Sequence, residues 1–393
     1  MILPALRKEQ GASLAMNTVI PVENGEVLAA VRGFLRRLLE VQLVEALFVP
    51  LEVDEGAILP ALVTDPARLS VANPLTPVMP INAARAVSAL TGKQTPARLG
   101  ALLRPCELRA LIELVKLRQA TLENVLLISI DCPGTYEYFE YTTWQHEDHK
   151  SPGFVLSDYL AAAQESREPT YTGLTQRTAC RMCVQPVPEQ ADIYLQLFGV
   201  DTSRGIPVRL RDDIANNLGM MENPHPDATE HQAAVERLVS AHRQVREKEL
   251  QDIRARLNSD GGLAGLFATC IRCHNCMTAC PICYCKTCLF RTASFDHPPV
   301  YYLDAARRKG ATRMLGDTLL FHMTRLNHMG LSCVGCGMCT SACPSHIPVG
   351  TVFSAVGEQV QTVFEYHPGR DVSESLPLVT FQENEWATLG EER

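Results

Sequence analysis

The sequence predicts two architectures in one chain: an α/β N-terminal domain with a parallel sheet, and a mainly helical C-terminal domain dense in cysteine. Three observations carry this. Helix-period and aliphatic segments alternate through the first third, as strand–helix–strand units do. A long charged segment after residue 226 has helical character and no cysteine. Seven of the 15 cysteines then fall between Cys270 and Cys288, and four between Cys333 and Cys343.

Taken in order, Glu26 to Val44 places Val27, Val31, Phe34, Leu35, Leu38 and Leu39 on one helical face. Ala46 to Val53 reads as a strand, and Asn82 to Leu90 as a helix. Thr91-Gly-Lys-Gln-Thr95 lacks the upstream glycine of a phosphate-binding loop and reads as a turn. Arg98 to Leu103 is an apolar strand running into the turn Arg104-Pro105-Cys106-Glu107, and Leu108 to Ala120 returns to helical period. Val125 to Ile130 is aliphatic throughout, as befits a strand buried on both faces. In a parallel sheet ligands gather outside the carboxyl ends of the strands, where Cys106 and Cys132 both stand. Residues 134–178 show no clear period and read as a long functional loop or insertion.

Asp227-Ala-Thr-Glu230 has capping-box spacing. It opens a helix to Leu257, about 45 Å long, which Asn258 to Gly262 stop. This helix reads as a strut between two domains. Residues 302–329 and Val352 to Phe364 also read as helical. The domain plan is therefore 1–220 for the α/β domain, 221–262 for the linker helix, 263–350 for the cysteine domain, and 351–393 for a last helix and tail.

Length and a 46% hydrophobic content fit an ordinary globular chain of two to three domains. A net charge of −8 gives no electrostatic reason to expect nucleic acid as a partner. No apolar run approaches the ~18 residues of a membrane span, and the first residues lack a signal peptide's pattern. Met16 is a second candidate start. A cytoplasmic location is the expectation, and fifteen cysteines in a reducing compartment are expected to bind metal rather than pair.

The strongest motifs are Cys270-x-x-Cys273-x-x-Cys276-x-x-x-Cys280-Pro281 and Cys333-x-x-Cys336-x-x-Cys339-x-x-x-Cys343-Pro344. Each has the spacing of bacterial ferredoxins, in which three close thiolates hold one 4Fe-4S cubane and the fourth reaches the other cluster. The expected sets are Cys270, Cys273, Cys276 with Cys343, and Cys333, Cys336, Cys339 with Cys280. Gly335 and Gly337 are expected to let backbone pass close to the inorganic sulfurs. Zinc would favour separated C-x-x-C pairs over two identical runs. Cys106, Cys132, Cys180 and Cys183 form a second constellation, four being the number a third cubane needs. Arg104 and Arg181 are candidates to offset its negative charge. Read alone, Cys180-x-x-Cys183 is equally consistent with zinc or redox chemistry, and Cys106 and Cys132 with buried core thiols. His322 and His328 are candidates to tune the second run. Most histidines, His146 and His149 among them, read as surface or supporting residues. Cys283, Cys285 and Cys288 stay unassigned.

Several stretches resemble the β-subunit family of deazaflavin-reducing hydrogenases and formate dehydrogenases. They are Leu103-Arg-Pro-Cys-Glu-Leu-Arg109, Ile130-Asp-Cys132, Ala179-Cys-Arg-Met-Cys183, Phe321-His-Met-Thr-Arg325, and Leu376-Pro-Leu-Val-Thr-Phe381. The resemblance implies an FAD beside a cubane held by Cys106, Cys132, Cys180 and Cys183, with Arg104 and Glu107 near the cofactors. It also implies ferredoxin-type clusters leading to a catalytic formate dehydrogenase or hydrogenase subunit, and a deazaflavin or other two-electron carrier as the far partner. The family's Ser-Gly-Gly turn for the FAD phosphates is replaced here by Pro80-Ile81-Asn82-Ala83-Ala84. Asn82 is expected to cap a helix and leave its N-terminus free for phosphate. The alternative is a flavin-free ferredoxin-like adaptor linking such an enzyme to a heterodisulfide reductase-type complex.

Overall fold

The computed structural model describes residues 16–53, 56–92, 97–147, 152–169, 171, 173–223, 228–311, 316–377 and 379. Strand β1 (Met16–Ile20) leads into helix α1 (Val27–Glu40), which buries the six apolar residues its period selects. Strands β2 (Ala46–Glu52) and β3 (Ile58–Val63) pair antiparallel. Then come α2 (Ala84–Thr91), β4 (Leu99–Leu103), α3 (Pro105–Lys116) and β5 (Val125–Ile130). Helices α4 (Tyr138–Glu147), α5 (Pro152–Glu165) and the short α6 (Thr178–Arg181) precede β6 (Ile193–Leu195), β7 (Ile206–Leu210) and α7 (Asp212–Leu218).

The seven strands form one sheet in the order β1-β7-β6-β5-β4-β2-β3. Neighbours β2, β4, β5 and β6 pair parallel. The β2–β3, β6–β7 and β7–β1 pairs are antiparallel, so the expected parallel sheet is the centre of a mixed one. The connection from β2 to β3 is too short for the crossover that a parallel pair requires. Residues 134–178 hold α4, α5 and the start of α6, so of the loop or insertion expected there the loop alternative is corrected. Tyr136, Tyr141, Trp144 and Tyr171 pack there into a small aromatic core of their own.

The long charged segment is α8 (Ala228–Leu257), ending where Asn258 begins its stop; the expected cap Asp227 lies outside the described residues. Helices α9 (Gly262–Leu266), α10 (Asn275–Thr278), α11 (Pro299–Lys309), α12 (Gly316–Met329), α13 (Met338–Ser341) and α14 (Val349–Val363) follow. Among the described residues no helix is long and apolar enough to cross a membrane.

Two cores flank the sheet. On one face α1 and α7 pack on Leu47, Leu126, Ile128 and Val208. On the other, α2 and α3 cover Phe48, Ala101, Leu103, Val125 and Leu127. This second core runs without a break into Phe267, Phe321, Val349, Val352 and Phe353 of the cysteine region. Helix α8 joins both, setting Ala234 and Leu238 in the first core and Leu250 and Ile253 in the second. Each such buried aliphatic contributes roughly 1.5–3 kcal/mol, so the two regions are fused by packing as well as by the chain.

Candidate metal centres

The sheet positions the first group of thiols. Leu103 of β4 and Ser129 of β5 are register partners, and the Ser129 hydroxyl donates to the Leu103 carbonyl at 2.7 Å. That bond pins two adjacent carboxyl ends, so Cys106 and Cys132 emerge from neighbouring strands. Cys106 lies in the first turn of α3, which begins at Pro105; a proline there loses no helical hydrogen bond. The segment around α6 folds over them. The Cys132 N–H donates to the Pro186 carbonyl at 3.0 Å, and the Thr135 N–H to the Cys180 sulfur at 3.3 Å. Cys106, Cys132, Cys180 and Cys183 line one cavity together with Arg104, Arg177 and Cys336.

The two runs of four form the other groups. Burial pushes the Cys276 thiol up to about 11, with Arg325 opposing and Cys270, Cys273 and Cys343 adding to the rise. Burial pushes Cys336 up to about 12, aided by Cys280 and Cys333. Cys333 and Cys339 are raised for the same reason, again with Cys280 among their neighbours. The short helices inside the two runs, α10 and α13, pack against each other. Among the described residues no three His, Cys, Asp or Glu side chains converge on a single-ion site. Both runs share one backbone course: Arg272 and His274 in the first, Gly335 and Gly337 in the second, all have positive φ. Glycine is obligatory at 337 for a further reason. A Cβ there would lie 2.3 Å from Cβ of Ala179 on α6.

Each thiol group has arginine beside it. Arg325 donates to the Cys276 sulfur and carbonyl, both at 3.1 Å. Arg104 donates to the Cys132 sulfur at 3.5 Å and to the carbonyls of Thr76 and Val78. Arg109 and Arg177 are buried where the cysteine region meets the α/β domain. Arg325 is buried with no carboxylate partner among the described residues, and a buried guanidinium without an anion costs several kcal/mol. Neutral thiols supply none, whereas four iron-bound thiolates do. The donor sets and their counter-charges therefore fit 4Fe-4S clusters. Arg181, expected beside the third group, instead faces Glu168 at 3.6 Å; Arg177, one turn earlier, takes that place. Its sequence signal was only its position before a C-x-x-C pair.

The flavin expectation meets a different arrangement. Glu107 accepts from the Ala83 N–H at 2.8 Å and the Arg104 N–H at 2.9 Å, and Asn82 accepts from the Ala84 N–H at 3.1 Å. The N-cap of α2 is Ala83 and not Asn82, and the first N–H groups that a phosphate would use are taken by the side chains of Asn82 and Glu107, both buried. The residues at this turn do not fit the FAD phosphates as expected. His322 stands 3.4 Å from the Cys270 sulfur, so it serves the first run and not the second, while His328 is exposed. His149 lies outside the described residues. Cys283, Cys285 and Cys288 line a surface cavity with Arg85, Lys286 and Arg291.

Residues 266–347 match the 4Fe-4S dicluster domain family. Fold and thiols together define the class: an iron–sulfur electron-transfer protein on an α/β scaffold. The chain is similar to the F420-dependent formate dehydrogenase subunit beta of Methanocaldococcus jannaschii, 25% identical over 70% of this chain and 74% of that one. It is similar to the F420-dependent formate dehydrogenase 1 subunit beta of Methanococcus maripaludis, 26% identical with the same coverage. A solved chain from the F420-reducing NiFe hydrogenase complex of Methanosarcina barkeri aligns with a TM-score of 0.44 and 13% identity, covering 60% of this chain and 92% of that one. The resemblance to the β-subunit family thus holds over most of the sequence.

Proposed function

We propose that this chain is the β-type electron-transfer subunit of a multi-subunit oxidoreductase, a formate dehydrogenase first and a deazaflavin-linked hydrogenase second. The observation that supports the reading best is one cavity lined by Cys106, Cys132, Cys180 and Cys183, with arginine donors at Cys132, at Cys276 and at the Cys336 carbonyl. Cys270, Cys273, Cys276 and Cys343 hold one 4Fe-4S cluster, Cys333, Cys336, Cys339 and Cys280 a second, and Cys106, Cys132, Cys180 and Cys183 a third. Such clusters supply one-electron transfer at potentials set by charge, hydrogen bonds and exposure. The chain's own residues do the rest. Arg325, Arg104, Arg109 and Arg177 offset the negative charge that each reduction adds, and the second core packs the cysteine runs against the α/β domain. The domain plan is the α/β unit to 220, the strut helix, a dicluster unit over 263–350 and a closing helix and tail. The partners are a catalytic formate dehydrogenase or hydrogenase subunit and a deazaflavin or similar carrier.

The family's FAD is not given a step here, because Asn82 and Glu107 occupy the backbone donors that its phosphates would need. That observation favours the second reading, a flavin-free adaptor toward a heterodisulfide reductase-type partner. The test is anaerobic purification of the full chain with its partners, followed by iron, sulfide, zinc and flavin analysis. About twelve irons per chain support three cubanes, and Cys106→Ala is then expected to leave about eight. Unchanged iron in that variant returns Cys106 to the core, and zinc in place of iron overturns the reading. Stoichiometric FAD decides for the flavoenzyme form; its absence from fully iron-loaded protein decides for the adaptor.

A further inference from the structure

Where the second cysteine run meets the third group, one side chain reaches both. Arg177 is 3% exposed, and its three guanidinium nitrogens point in different directions. Nη2 donates to the Cys336 carbonyl at 2.9 Å. Nε donates to the Ser341 hydroxyl on α13 at 3.0 Å. Nη1 donates to the Thr135 hydroxyl at 3.3 Å, and that hydroxyl lies 3.2 Å from the Cys180 sulfur. The backbones also touch here, Gly337 against Ala179 with no room for a methyl group. Cys336 is part of the wall of the cavity lined by Cys106, Cys132, Cys180 and Cys183. No thiol of the first run lines that cavity.

We propose that Arg177 is the positioning residue of an intercluster junction, fixing the second cysteine run against the third group so that the second run is the middle station of the chain's electron path. The inference rests on the reading of three thiol groups as three cluster sites and adds their order. The first run, with the exposed Cys273, is the outer end toward a partner protein, and the group at the sheet edge is the inner end. Two features make the junction suited to this. It is rigid because a planar fork is tied at three points, and it holds a positive charge between two sites that gain negative charge on reduction. Glu137, 3.7 Å from Arg177 and partly exposed, moderates that charge.

The test is a potentiometric titration followed by electron paramagnetic resonance on the anaerobically purified full chain. Wild type is compared with Arg177→Ala, Arg177→Lys and Glu137→Gln, with iron counted for each. At wild-type iron content, Arg177→Ala is expected to lower two midpoint potentials, leave the third unmoved and weaken the spin–spin coupling between clusters. Arg177→Lys, which keeps the charge and loses the fork, is expected to restore the potentials and not the coupling. Glu137→Gln is expected to raise the two potentials that Arg177→Ala lowers. Unmoved potentials and coupling in Arg177→Ala overturn the inference, as does a shift confined to the first run. If Arg177→Ala fails to retain iron, Glu137→Gln decides alone, since two raised potentials support the junction and none raised overturns it. Wild-type protein with only about eight irons would remove the three-site reading itself. Twelve irons with unmoved potentials would remove only the role of Arg177.

Discussion

His322 shows how much a single residue's setting decides. Its ring stacks on Phe267, with centroids 3.7 Å apart and planes 12° from parallel. Burial holds its pKa down to about 3, with Arg325 and His274 pushing the same way, which favours the neutral ring. Nδ1 is buried without a hydrogen-bond partner among the described residues. An unpaired lone pair there is less costly than an unpaired N–H, which assigns the proton to Nε2, facing the Cys270 sulfur. A hydrogen bond to a ligand sulfur stabilises the reduced, more negative state. His322→Phe keeps the stack and removes the donor. Iron content should stay at the wild-type level while the midpoint potential of the first-run cluster falls. A potential at or above wild type would show that the ring is packing alone. The sequence placed this histidine near the second run because only eleven positions separate His322 from Cys333; the fold of α12 turns it toward Cys270 instead.

At the scale of elements, legibility followed how strongly each segment advertises its burial. Helix α1, strands β2, β4 and β5, helix α8 and helix α14 were readable because a clear period, an aliphatic run or length marks them. The three residues of β6 carry no period, and β1 forms a ladder only with β7, far away in sequence. Helices α4 and α5 bury aromatic residues in a pocket of their own, which scatters the apolar positions that a period search needs. The seating of α8 was equally hidden, because it depends on a turn. Gly199 has φ +69°, and a Cβ there would lie 2.8 Å from Cβ of Ala234 and 2.9 Å from the Glu230 carbonyl. Beside it, Asp131 accepts from the Leu197 N–H at 2.8 Å and from Tyr194 at 2.5 Å, with His231 of α8 at 2.9 Å. The first turns of the strut are therefore locked to the segment after β6, next to Cys132. Gly199→Ala should lift α8 from this seat and cost about 1–3 kcal/mol. Anaerobic thermal denaturation should show a lowered midpoint at unchanged iron content. A midpoint equal to wild type would mean that the helix is held elsewhere.

At the scale of the whole molecule, the chain closes on the helix that carries Cys106. Glu113 of α3, fully buried, accepts from the Tyr366 hydroxyl at 2.5 Å and from the Gly369 N–H at 2.8 Å. Lys116, one turn on, donates to the same hydroxyl at 3.0 Å and to Glu374 at 3.1 Å. The segment so held packs Gly369 onto the backbone of Arg109, where a Cβ would lie 2.4 Å from Cα. Arg109 in turn donates to the Val334 carbonyl in the second run at 3.0 Å. The end of the chain thus braces the contact between the α/β domain and the cysteine region, which packing of the second core alone would leave free to slide. Nothing in the sequence advertises this, because the partners lie some 250 positions apart and Glu113 looks like an ordinary polar helix residue. In Glu113→Ala two buried donors lose their acceptor, at roughly 1–3 kcal/mol each, and Lys116 loses one of its two carboxylates. The segment from Tyr366 onward should then come free. Limited proteolysis should cut after residue 365 faster than in wild type, before any loss of iron from the first run. Equal cleavage rates would show that the segment is held by its apolar contacts, and early loss of all iron would show that Glu113 supports the fold rather than its closing strap.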